Sequence, residues 1–155
     1  MIVDKWDYRI IDLLSGLKSF IEESNYPITY NEANSLDWLF RIQQDPDSAL
    51  IVNYREDKFS GFAIVTRETE AHTEFFGYLV KFYVMPSARG TGVSRAIVRE
   101  MVDWFDTHDC VVSFATATAG IEQDKLFVNL LQKFQYVNLG GNLIRNQHGK
   151  SKKDI

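Results

Sequence analysis

Cysteine is almost absent from this sequence: Cys110 is the only one among 155 residues, so no internal disulfide can form and a reducing compartment is expected. The three histidines, His72, His108 and His148, lie too far apart for a local zinc pattern, and no metal is expected. Long apolar runs are missing as well. No window approaches 18 consecutive apolar residues, and the opening MIVDKWDYRI has no basic stretch leading into an apolar one, so neither a membrane span nor secretion is expected and the expected location is cytoplasmic. Positive charge is in deficit. Lys plus Arg number 17 against 21 Asp plus Glu, a net charge of -4, which is the wrong sign for a general binder of nucleic acid or of an anionic membrane.

What is present is the composition of an ordinary globular domain, 45% apolar and 25% charged, with residues 1–146 expected to form one domain and 147–155 a polar tail. From Trp6 to Ile21 apolar residues recur at spacings of three and four, which predicts an amphipathic helix that ends at Asn25-Tyr26-Pro27. A second helix is expected from Asn31 to the Asp45-Pro46 turn. Two β-prone runs, Ala49 to Tyr54 and Phe59 to Arg67, flank the polar turn Arg55 to Lys58 and predict a hairpin. A third strand is expected from Glu74 to Met85, a helix from Val93 to Phe105, a strand from Val111 to Thr116 and a helix from Asp124 to Phe134. A closing hairpin is expected about Gly140-Gly141, pairing Tyr136 to Leu139 with Asn142 to Arg145.

The stretch Lys81 to Ser94 runs from a strand through a glycine-containing turn into an amphipathic helix. Such a helix start offers amides without intrahelical partners and a positive dipole end, and glycines let an anion approach the backbone. Arg89 and Arg95 could add charge to the same anion. A nucleotide loop of the Walker type is excluded by the missing Gly-Lys-Ser/Thr. A dinucleotide fingerprint is excluded because Arg95 stands where its third glycine belongs.

The run Val84-Met-Pro86-Ser-Ala-Arg89-Gly90-Thr91-Gly92-Val93-Ser94 resembles the coenzyme A signature of the GNAT superfamily of N-acetyltransferases, Arg/Gln-x-x-Gly-x-Gly/Ala after a Val-x-Pro. The order of expected elements from Trp6 to Arg145 is similar to that family too. The resemblance implies an α/β fold with a mixed, mostly antiparallel sheet flanked by helices. It implies acetyl-CoA as co-substrate and direct attack of a primary amine on the thioester, with a homodimer left open. Phe82, Tyr83 and Val84 would pair with the pantetheine arm, and Arg89, Gly90, Thr91, Gly92, Val93, Ser94 and Arg95 would surround the pyrophosphate. Tyr26, Tyr30, Trp38 and Phe40 would belong to the acceptor wall, with core packing the default expectation for Trp38 and Phe40.

The second half departs from the family pattern. Leu131 stands where relatives carry the tyrosine acid, Asp124 where they carry an asparagine, and Gln135-Tyr136 where they carry Gly-Phe. Tyr83 and then Tyr136 are the candidate substitutes for the acid, with Thr116 and Thr118 behind them, and Glu74 or His72 is the candidate base. Lys81 interrupts an apolar strand, either as an outward-facing lysine or as the partner of a substrate carboxylate or coenzyme phosphate. The missing tyrosine leaves a second reading open, a catalytically silent acyl-CoA-binding or structural module, such as one in a viral assembly.

Overall fold

The structure is a computed structural model that describes residues 1–4, 7–24, 27–69, 73–116 and 121–138, without the side chains of 121–124. Helix α1 (Ile10–Glu23) buries Ile10, Leu13, Gly16 and Leu17. It starts later than the apolar spacing predicts, because the Asp7 carboxylate accepts the Arg9 backbone N–H (2.9 Å) and Nε–H (2.8 Å) and holds that turn outside the helix. Helix α2 (Glu32–Gln44) is capped by Asn31, whose side chain accepts the Asn34 N–H at 2.9 Å.

Strands β1 (Ser48–Arg55) and β2 (Lys58–Glu68) form the expected antiparallel hairpin. Glu56 and Asp57 turn it with φ of 50° and 58°, the left-handed pair that matches the twist of the flanking strands. Strand β3 (Phe75–Val84) leads through a short 3-10 turn, Pro86–Ala88, to helix α3 (Val93–Thr107). Strand β4 (Cys110–Ala115) and helix α4 (Ile121–Gln132) follow, each shifted a residue or more from the sequence expectation. The sheet order is β1-β2-β3-β4, antiparallel except for the parallel β3–β4 pair.

Alternation along the strands divides the core into two layers. Leu50, Val52, Phe62, Ile64 and Tyr83 pack against α1 and α2. Ala49, Ile51, Ala63, Val65 and Leu79 pack against α3, with Leu131 of α4 in the same cluster. An edge segment escaped the sequence reading. Val3 N–H donates to Leu50 O and Val52 N–H to Met1 O, both at 2.8 Å, so the N-terminus extends the sheet beyond β1. Of the expected closing hairpin, Tyr136 to Asn138 are not in a strand. Its remaining residues and the tail lie outside the described residues.

The parallel ladder opens halfway along β3. Its last pair is Leu79↔Ala115. At the same point β3 bulges against β2, since Ile64 pairs with Lys81 and Val65 with Leu79, which leaves Val80 as the extra residue. From Lys81 to Val84 the strand stays bonded to β2, with no β4 pair among the described residues.

Gly61 holds the far end of β3 close. A Cβ there would lie 2.7 Å from the Tyr83 carbonyl oxygen and 2.9 Å from Ile97 Cδ1, and neither the backbone nor a packed core side chain yields cheaply. Gly61→Ala is therefore expected to cost about 1–3 kcal/mol, read from the urea midpoint; an unchanged midpoint would show that β3 is not pinned there.

Candidate active site

The site is built where β3 leaves the sheet and α3 begins. Gly90 and Gly92 have φ of 75° and 88°, a region that side chains other than glycine enter at a cost. A Cβ at either would meet nothing within 4 Å, so the backbone, and not crowding, demands glycine, and the space above the turn is open. The first backbone bond of α3 runs from Ala96 N–H to Gly92 O at 3.0 Å. The amides of Val93, Ser94 and Arg95 have no backbone partner among the described residues, and they meet the positive end of a 15-residue helix. These features fit a diphosphate.

Arg89 does something other than the sequence suggests. Its Nη2 donates to Glu23 Oε2 at 2.5 Å and its Nε–H to the Val84 carbonyl at 3.1 Å, while the guanidinium lies 5.6 Å from the Tyr83 ring centroid. It staples the turn to α1. The helix start relies on its amides, and Arg95 is exposed beside them.

The candidates for proton transfer are not brought together. Tyr83 is buried on the α1 face and its hydroxyl donates to Glu23 Oε1 at 2.8 Å. Burial, then the adjoining Glu23 carboxylate, pushes its pKa up. Tyr136 follows α4 on the other face, 2.6 Å from Ser113 Oγ, and burial raises its pKa as well. It borders a cavity of about 390 Å³ that is also lined by Val102, Phe105, Asp106 and Lys133. Glu74 precedes β3, about 20 Å along the strand from the opening at 3.3 Å per residue. Thr116 is exposed just past β4; His72, Thr118 and Tyr26 lie outside the described residues. Leu131, in the tyrosine position, is 5% exposed inside the α3 core.

The other expected residues are spread over both faces of the sheet. Phe82 points to α4, its ring 4.7 Å from that of Phe127. Val84 is buried. Lys81 turns toward α1, where its Nζ lies 4.9 Å from the Phe20 ring centroid. Tyr30 and Trp38 pack partly buried on the α1 face, whereas Phe40 is exposed. Cys110 opens β4 with its thiol pKa raised by burial, the opposite of a reactive thiolate. Among the described residues, no cluster of three or more His, Cys, Asp or Glu could hold a metal, and no helix is long and apolar enough to cross a membrane.

The acetyltransferase (GNAT) family matches residues 16–127 of the chain. No curated protein matches it at the level of sequence. Among solved structures, it is similar to the aminoglycoside N-acetyltransferase AAC(6')-Iy in complex with CoA (12% identity, 95% of this chain and 92% of that one, TM-score 0.74). A predicted acetyltransferase with acetyl-CoA from Clostridium acetobutylicum is similar too (15%, 94% of each chain, TM-score 0.73). So is a ribosomal-protein-alanine N-acetyltransferase from Brucella melitensis biovar Abortus 2308 (13%, 94% and 97%, TM-score 0.68). At these identities the likeness shows the fold.

The turn provides a direct test. Gly92→Asp places a carboxylate where an anion would meet the amides, while Gly92→Ala carries the backbone strain alone. Titration calorimetry is expected to show acetyl-CoA binding weakened in the alanine protein and lost in the folded aspartate protein. Unchanged affinity in Gly92→Asp would move the coenzyme elsewhere.

Proposed function

Because the chain belongs to the acetyltransferase (GNAT) family, we propose that it transfers acetyl from acetyl-CoA to a primary amine by direct attack. The observation that carries this reading is the opening of the β3–β4 ladder after Leu79↔Ala115, immediately before the glycine turn. An extended pantetheine arm can pair there with the freed edge of Val80 to Val84, as a strand would. The diphosphate then falls at the amides of Gly92 to Arg95.

In this reading the amine nitrogen forms a bond to the thioester carbon, the C–S bond breaks, the thiolate departs, and the amine gives up a proton to water. Holding both substrates in one cleft supplies much of the acceleration. A backbone N–H on the freed edge polarises the carbonyl. A thiol pKa near 8.5 makes thiolate a tolerable leaving group at neutral pH, so the reaction can proceed with Leu131 in place of a tyrosine. The buried Leu131 also favours a second reading, acyl-CoA binding without turnover. Saturable release of coenzyme A with an amine panel separates the two.

The hydroxyls of Tyr83 and Tyr136 are engaged with Glu23 and Ser113 on opposite faces of the sheet. Tyr83→Phe and Tyr136→Phe are accordingly expected to keep kcat within about tenfold of the parent and to retain its alkaline limb, whereas loss of a true general acid costs about 10²-fold to 10⁴-fold. A drop of that size in either protein would identify the acid.

Direct attack also predicts no covalent acetyl-enzyme. Intact-mass measurement after mixing with acetyl-CoA should show no adduct at Cys110, and Cys110→Ser should turn over normally. A burst of acetylated Cys110 would require a two-step route.

A further inference from the structure

Lys81 is the second residue past the last β3–β4 pair. It lies on the α1 face of the sheet with Tyr83, two residues along the strand. It is half-buried, and the ring face of Phe20 is what its ammonium meets. Burial holds its pKa below the usual lysine range. No carboxylate among the described residues pairs with it. Glu23, the acid on the same face, has one oxygen on Tyr83 and the other on Arg89. Among the described residues, Lys81, Arg89 and Glu23 thus carry one more positive charge than negative on the α1 side of the sheet. A desolvated cation of this kind gains from an anion that comes with the ligand.

The two faces of the opening differ. On one, Phe82 is covered by Phe127 of α4 and the α3 core. On the other lie Tyr83, buried under α1, and Lys81, whose half-buried ammonium is the cationic group that an acceptor at the edge of β3 would meet.

We propose that Lys81 is the counter-ion for a carboxylate on the acceptor, so that the protein acetylates small amines that also carry a carboxylate and disfavours polycationic amines. The proposal rests on the acetyl-transfer reading. A carboxylate completes the lysine's pairing in a partly desolvated site, where a charge-assisted hydrogen bond is strong, while a polyamine meets like charge there.

The test compares ω-amino acids of increasing chain length with their primary amides, and adds spermidine and an aminoglycoside as polycations. At least one acid is expected to exceed its amide in kcat/KM by about 10-fold to 100-fold, with the difference in KM. The preference should collapse in Lys81→Met, which keeps an apolar stem against Phe20, and survive in Lys81→Arg. A preference for the polycations, or an acid preference that persists in Lys81→Met, would overturn the proposal while leaving acetyl transfer standing. If no amine is acetylated, the transfer reading fails, and calorimetry of the coenzyme A-loaded protein with the same pairs decides the charge assignment. Carboxylate-dependent binding lost in Lys81→Met upholds it, and equal binding of acid and amide overturns it.

Discussion

The extra residue at Val80 is the constraint on which the site depends. A strand in the middle of a sheet has both edges satisfied, and a buried unpaired edge is costly. Among the described residues, β3 meets β4 only as far as Leu79↔Ala115, bulges at Val80, and continues bonded to β2 from Lys81 to Val84. The four residues Lys81 to Val84 thereby have no strand beside them on the β4 side among the described residues. Gly61 keeps that segment tight against β2 and α3. The glycine turn then follows within a few residues, which puts a strand-like edge and a helix start in line.

Charge around this opening is arranged across distant parts of the chain. Glu23 ends α1, yet it receives Tyr83 from β3 and Arg89 from the turn. The Arg89–Glu23 pair is 44% and 40% exposed, so its direct contribution to stability is about 1 kcal/mol or less. Its effect is positional. The motif arginine is drawn toward α1 and away from the amides at the start of α3, and Lys81 has no acid paired with it among the described residues.

The fold was largely legible in the sequence, for identifiable reasons. The helix at Val93–Thr107 follows from apolar spacing, and Val93, Ile97, Met101 and Trp104 are buried where that spacing put them. The hairpin of β1 and β2 follows from two β-prone runs about a polar turn. Pairing of Met1 to Val3 with β1 was not legible, because three residues carry no period. The bulge at Val80 was equally hidden, since it is a relation between β2 and β3 and not a property of the FFGYLVKFYV run. At the site, the glycines were readable because positive φ has a residue signature. The partners of Arg89 and Tyr83 were not, because Glu23 is 66 and 60 residues away from them. Glu74 looked adjacent to the chemistry in sequence, but an extended strand turns those few residues into a long distance.

Amide hydrogen exchange with and without acetyl-CoA tests most directly the claim that the coenzyme lies along the freed edge of β3 and ends at the start of α3. The account predicts new protection concentrated at Lys81 to Val84 and at Gly90 to Arg95, with β1 unchanged. Protection at Tyr136 and the cavity beside α3, with none at those two segments, would contradict it.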